Sequence, residues 1–375
     1  MDNAATTRID PRVVSAMNKY FAKTYGNPSS KHYFGEQAKK GIDYARNMVC
    51  SNINCLPSEV IFTSGGTESN NFAIKGIAYA NRHKGNHIII SKIEHHSISE
   101  PCEFLKKEGF EITYVPVNTS GYVDVHNIIN SINKNTILVS IMHSNNEIGT
   151  IQPIISIGEI LQNTDVYFHT DAVQSIGKCV IDVNILNVDL LSASSHKFYG
   201  PKGVGFLYVK EGTKIDSFMH GGEQEKGRRA GTYNVPAIVG MGKALELISS
   251  SLNIETPRIL EFRNKIINRL VSDINGCYLN GGMNRLSNNI SLSFDDIDGE
   301  TLVEKLDNLG ISCSVGSACS SAKMEPSHVL MALGLDPDRA NNTIRISLGR
   351  FTTLEDVTRL IESVEKILKI QRKKI

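Results

Sequence analysis

Between residues 60 and 209 the chain repeats one pattern. A run of four to six mostly β-branched, aliphatic or aromatic residues gives way to a stretch whose apolar positions fall at helical spacing. The runs are 60–63, 88–91, 112–115, 137–142, 166–169, 190–193 and 204–209, with helical patterns at 71–78, 97–108 and 154–163. Several runs, such as Ile88-Ile89-Ile90, are apolar at consecutive positions, as strands covered on both faces must be. This alternation predicts an α/β fold built on a doubly wound, mainly parallel sheet of seven strands.

From about residue 245 the character changes. A long amphipathic helix (Ile259, Leu260, Phe262, Ile266, Ile267, Leu270, Ile274) leads to a strand at 290–294, a helix near 299–309, a strand at 343–348 and a last helix carrying Leu354, Val357, Leu360, Ile361, Val364 and Leu368. This reads as a smaller α+β domain. The expected division is 16–245 for the large domain and 1–15 with 246–375 for the small one. Only a short helix, about 13–21, is expected ahead of the sheet, with the N-terminus crossing to the small domain.

Composition narrows the class. With 375 residues, 41% of them hydrophobic, and 30 glycines, the chain is neither disordered nor collagen-like and can bury a core with a cleft beside it. Forty basic against 39 acidic residues leave a net charge of +1, so no general field draws in nucleic acid or a membrane surface, and neither is expected as a partner. The basic ending at 371–374 suits a solvated helix C-terminus. A polar N-terminus, no apolar run of bilayer length and seven cysteines without a C-x-x-C pair point to a reducing cytoplasm and no structural zinc.

Three segments carry candidate chemistry. Thr63-Ser64-Gly65-Gly66-Thr67-Glu68 follows the first strand and opens a helix, the anion-binding position of an open α/β sheet. An ordinary capped turn fits it equally well, and the absence of a Gly-Lys-Ser/Thr ending argues against a nucleotide phosphate loop. Asp171 ends one strand, and Ser194-Ser195-His196-Lys197 ends the next. A carboxylate and a lysine at neighbouring strand ends, beside a phosphate loop, are what pyridoxal phosphate (PLP) requires: an amine for the Schiff base, an acid partner for the ring nitrogen and donors for the phosphate. His95-His96 sits at another strand end, where one imidazole could face a planar cofactor; His96 is read as a partly buried polar residue. Cys319 lies in a loop of small residues, Val315-Gly316-Ser317-Ala318-Cys319-Ser320-Ser321-Ala322, whereas Cys50, Cys102, Cys179, Cys277 and Cys313 read as structural. Arg345, alone among apolar residues in its strand, either clamps a carboxylate or faces solvent.

With these motifs the sequence resembles the cysteine desulfurases of the NifS/IscS type, in the class V aminotransferase family of PLP enzymes with fold type I. The resemblance runs from Asp2-Asn3-Ala4-Ala5-Thr6-Thr7 through Tyr25 to Ser30, Thr63 to Asn70, Glu94-His95-His96, Asn145 to Gly149, Asp171 to Gln174, Ser194 to Gly203 and Arg228 to Thr232. It closes on Gly316 to Ser327 and Arg345 to Arg350, and the cysteine loop followed by Met324-Glu325-Pro326-Ser327 makes it specific.

The resemblance implies Lys197 as the Schiff-base lysine, Asp171 on the pyridine nitrogen, Gln174 on the ring hydroxyl, and Gly66, Thr67, Ser194 and His196 on the phosphate. Thr232 would reach the phosphate of a neighbouring subunit, implying a homodimer with composite sites. His95 would stack on the ring, Asn146 and Arg345 would orient L-cysteine, and Cys319, in a moving loop at about 314–326, would accept the sulfur as a persulfide. Alanine is the expected co-product, and a sulfur-acceptor protein such as an iron–sulfur scaffold the expected partner. No intrinsic metal is implied, although Cys319 could briefly ligate a nascent cluster with a scaffold. The competing readings are a PLP aminotransferase or selenocysteine lyase in which Cys319 is incidental, a degenerate scaffold homologue, and an ATPase.

Overall fold

The computed structural model describes residues 1–316 and 326–372. All seven expected strands form one sheet: β1 (Val60–Thr63), β2 (His87–Ser91), β3 (Glu111–Val115), β4 (Thr136–Ser140), β5 (Tyr167–Asp171), β6 (Leu190–Ser194) and β7 (Gly205–Val209). Their order is β1-β7-β6-β5-β4-β2-β3. The run β3-β2-β4-β5-β6 is parallel, and β7 alone is antiparallel to both its neighbours.

Alternate residues of each strand enter different cores. Phe62, Ile89, Val139, Phe168, Leu191 and Phe206 pack on one face of the sheet, while Ile61, Ile88, Ile90, Leu138, Leu190 and Leu207 pack on the other. Both faces are therefore apolar, which explains the uninterrupted aliphatic runs. Helices Gly66–Asn81 and His96–Lys107 cover the second face, and Tyr33–Ile53, Ile154–Leu161 and the start of Val235–Asp273 cover the first.

The expectation of one short helix ahead of the sheet is corrected here. Pro11–Ala22 is followed by a 21-residue helix, Tyr33–Ile53. Its buried face (Gly35, Ala38, Gly41, Ile42, Ala45, Val49, Ile53) is small over its first half, and that hides its periodicity from a reading based on large apolar residues. The smallness is a packing requirement: a Cβ on Gly242 of the long helix would lie 2.6 Å from the Ala45 Cα. Two helix backbones approach closely there because neither carries bulk.

The second sheet is antiparallel, in the order β10 (Ser314–Val315), β11 (Thr343–Ser347), β9 (Asn289–Phe294), β8 (Cys277–Leu279). Its core is closed by helices Gly299–Asp307 and Leu354–Arg372. Helix Val235–Asp273 is longer than expected and passes through position 245: Val235 to Ile248 join the core of the large sheet, and Ile259 to Leu270 that of the small one. Among the described residues it is the one helix long and apolar enough to cross a membrane, and 61% of its apolar window is buried inside the protein. The N-terminal residues reach the small sheet, where Asp2 bridges Ser347 and the Met1 carbonyl accepts from the Ser347 N–H at 2.8 Å.

Candidate active site

The parallel strands all point their carboxyl ends at one side of the sheet, and the chain leaves each strand there through a polar turn. A cavity of about 410 Å³ opens at this edge, beneath the small sheet. Gly66, Thr67, His95, Asn146, Asp171, Gln174, Ser194, His196, Lys197 and Arg345 all line it. Ten residues chosen from the sequence thus converge on one space. Thr232 does not join them: it is exposed and lines a separate hollow with Ser64 and Arg229. Cys319 lies outside the described residues.

Asp171 ends β5 and is only 5% exposed. Its Oδ1 accepts from the Val173 N–H at 2.9 Å, and its Oδ2 accepts from Asn70 Nδ2 at 2.7 Å. The same Asn70 amide donates to Ser97 Oγ at 2.8 Å, and Ser97 Oγ lies 2.7 Å from His95 Nδ1. The Ser97 N–H also donates to Nδ1, so that nitrogen is an acceptor and the neutral ring carries its proton on Nε2. Burial lowers the His95 imidazole below its usual value despite the opposing Asp171 charge.

Lys197 closes the short turn Ser195–Lys197 after β6. Its Nζ donates to the carbonyls of Ala4 and Ala5 at 2.6 and 2.8 Å. The turn is pinned from the same segment: the Thr7 N–H and hydroxyl both donate to the His196 carbonyl at 2.9 Å, and the Thr7 hydroxyl accepts from the Tyr199 N–H at 2.7 Å. Tyr199 needs that support, since its φ of 66° is left-handed. His196 is lowered to about 4 by burial and by the cationic Lys197, Lys202 and Lys178, so it is a neutral ring at physiological pH. Gln174 Nε2 donates to the Ala4 carbonyl at 3.0 Å.

Helix Gly66–Asn81 begins at this edge with a glycine, Gly65, at its N-cap, and no side chain among the described residues caps it. Its N-terminal amides and dipole are available to an anion. A Cβ on Gly66 would lie 2.8 Å from Val173 Cγ2 and 3.5 Å from Ser194 Cβ, so a glycine is what lets this turn approach the ends of β5 and β6. On the opposite wall Arg345 is buried in β11. One of its terminal nitrogens donates to Asp2 Oδ1 at 3.0 Å and the other to the Asn146 carbonyl at 3.3 Å, while Nε has no partner among the described residues. The open alternative for Arg345 resolves to the buried one, a guanidinium facing the cavity.

Sequence reasoning missed several neighbours. Asn70 lay inside the glycine motif without a role. Glu147, fully buried and raised to about 7, accepts from the Ser327 hydroxyl at 2.5 Å. The rings of His328 and His96 meet at 5.0 Å in the cavity wall. These depend on tertiary approach, and only the placement of Asn70 in the first turns of a strand-end helix offered a local signal. Of the cysteines expected to be structural, Cys102, Cys277 and Cys313 are buried, whereas Cys50 and Cys179 are half-buried.

The class-V aminotransferase pattern matches residues 1–360. The chain is 50% identical to the cysteine desulfurase IscS of Dictyoglomus turgidum over 369 residues, covering 98% of this chain and 94% of that protein. It superposes on a solved NifS-like protein with a TM-score of 0.93 at 38% identity, covering 98% of both chains. A second solved structure, SspA in complex with cysteine, gives a TM-score of 0.83 at 38% identity over 94% of this chain and 99% of that one. With its sheet, its strand-end lysine and carboxylate and full-length similarity in agreement, the chain belongs to the class-V aminotransferase family, among the cysteine desulfurases of the NifS/IscS type.

Proposed function

We propose that the cavity holds pyridoxal phosphate, and that with it the chain converts L-cysteine to L-alanine, leaving the sulfur on Cys319 as a persulfide. The observation that carries the reading is the convergence of Lys197, Asp171 and the uncapped helix at Gly66 on one cavity at the strand ends. The residues present fit the group: an amine, a buried carboxylate and a helix N-terminus with amide donors line one cavity. When bound, the cofactor supplies an electron sink that eases loss of the substrate's α-proton and weakens its bond to sulfur.

The chain's residues do the rest. Lys197 would hold the cofactor through its amine, and the same amine would move the substrate's α-proton. Asp171, fixed by Asn70 and the Val173 amide, keeps a proton on the ring nitrogen. Gln174 would serve the ring hydroxyl, while Gly66, Thr67, Ser194 and the neutral His196 would hold the phosphate. His95 would lie against the ring, and Asn146 and Arg345 would orient the substrate, the guanidinium binding its carboxylate. Cys319 attacks the substrate sulfur as a thiolate: the new S–S bond forms as the C–S bond breaks. Thr232, apart from this cavity in its own chain, serves the phosphate of a second copy in a two-fold homodimer. The division into 16–245 and 1–15 with 246–375 puts the cofactor on the larger unit and the cysteine loop on the smaller. A sulfur-acceptor protein such as an iron–sulfur scaffold takes the persulfide sulfur, for clusters or other thio-cofactors, in the cytoplasm.

The test is to incubate PLP-loaded protein with L-cysteine and a thiol reductant and to quantify alanine and sulfide for wild type and Cys319→Ala. Equal amounts of both products from wild type, lost in the variant, are expected. A variant that keeps full activity removes Cys319 from the reaction.

A further inference from the structure

Lys178 stands behind the active site, outside the set of residues that line it. Its Nζ donates to the Gln174 carbonyl at 2.8 Å and to the Lys197 carbonyl at 3.3 Å. The first carbonyl belongs to the turn that follows β5 and carries Asp171 and Gln174. The second belongs to the turn that follows β6 and carries Lys197. One amine therefore bridges the backbones of the two turns on which the cavity's carboxylate and lysine are mounted. None of the chemistry assigned above uses it.

The cost of keeping it there is visible. Burial lowers the Lys178 amine from 10.5 to about 7, and the nearby Lys197 pushes in the same direction. The other titratable groups facing it are His196, from the turn after β6, and Cys179, next along its own chain. His196 is lowered to about 4 and the Cys179 thiol is raised to about 11, so both are uncharged at neutral pH. Lys178 and Lys197 act on each other as like charges, and Lys178 also contributes to lowering His196. A hydrogen-bonding residue without charge could brace the two turns equally well; a lysine adds a like charge at the backbone of the turn that carries the reactive one.

We propose that Lys178 is a positioning residue of the desulfurase reaction, bracing the Gln174 and Lys197 carbonyls and placing a positive charge behind the turn that carries Lys197. The charge favours the proton-free state of the Lys197 nitrogen, the state in which it can bond the cofactor and take the substrate's proton. The inference rests on the reading that Lys197 carries PLP.

Its test is a spectroscopic titration of PLP-loaded wild type, Lys178→Met and Lys178→Arg, following the visible absorbance of the bound cofactor as the Lys197 nitrogen gains and loses its proton. In Lys178→Met the midpoint rises by roughly one pH unit, because the like charge is gone. In Lys178→Arg it falls below wild type, because a guanidinium keeps its charge where the Lys178 amine has begun to lose its own. A Met variant that folds, loads and titrates with the wild-type midpoint overturns the proposal. Should the Met variant not fold, the Arg variant decides: a lowered midpoint supports the proposal, and an unmoved or raised one overturns it. Wild-type protein that takes up no PLP and shows no visible band would instead sink the cofactor reading, a result distinct from both.

Discussion

Asn70 Nδ2 and Asp171 Oδ2 meet at 2.7 Å, joining the first turns of the helix after β1 to the end of β5. The other hydrogen of the same amide goes to Ser97, so one side chain orients the carboxylate and, through Ser97, the His95 ring. Replacing Asn70 by Ala removes a hydrogen bond to a charged group, worth about 1.5–3 kcal/mol. The expected result is PLP affinity weakened roughly tenfold to a hundredfold, read by fluorescence titration of apo-protein. Unchanged affinity would mean that the Val173 amide alone holds Asp171.

Arg345 shares its charge with Asp2, at 3.0 Å. Removing the carboxylate in Asp2→Asn loosens the guanidinium rather than deleting it. The KM for L-cysteine is expected to rise roughly threefold to tenfold, with kcat less affected. Arg345→Gln removes the grip itself and raises KM by roughly a hundredfold. Steady-state kinetics on the two variants tests the ranking; equal effects would place the whole contribution in the ion pair.

Glu94 gives a pH signature independent of activity. It is wholly buried, its Oε1 accepts from the Ser91 hydroxyl and the Met142 N–H, its Oε2 has no partner among the described residues, and burial raises its carboxyl from 4.5 to about 8. Between those values the folded chain holds a proton that the unfolded chain has released. Its stabilising contribution is therefore complete below 4.5 and is lost as pH rises through about 8. Glu94→Gln keeps the shape and removes the ionisation. Thermal melts across this range are expected to show the variant gaining on wild type as pH rises; parallel curves would remove the linkage.

Gly66 permits a close approach, and its replacement is expected to act on the cofactor more than on the fold. In Gly66→Ala the new methyl meets Val173 Cγ2 at 2.8 Å and displaces the helix N-terminus from the ends of β5 and β6. Weaker phosphate retention follows, of about tenfold, measured by release of PLP on dialysis, with little change in the melting temperature of the apo-protein.

What the sequence made legible follows from what is local. A strand buried on two faces must be apolar at neighbouring positions, so 88–90 and 206–209 announced themselves, and Asp171 and Lys197 were found because strand ends can be counted along the chain. The helix Tyr33–Ile53 was missed for the opposite reason: its buried face is small at Gly35, Ala38, Gly41 and Ala45, with Gly41 against Tyr20 and Ala45 against Gly242 of neighbouring helices, and a small residue leaves little periodic signal. Asn70, Lys178 and Glu147 matter through partners 101, 19 and 180 residues away. Their residue types were plain, but the meeting was not, because only the folded sheet brings separate turns together.

The N-terminal segment carries a consequence for how the protein is made. Asp2 is synthesised 343 residues before the Arg345 it pairs with, and Ala4 193 residues before the Lys197 whose amine it receives. At about 5–20 residues per second the first of these gaps spans roughly 20–70 s. For that interval the segment that will pin the lysine turn has no finished small sheet to lie on, while the large sheet is already emerging. The residues assigned to the cofactor, through Lys197, are thus made well before Arg345, so the cofactor side of the pocket precedes its substrate wall.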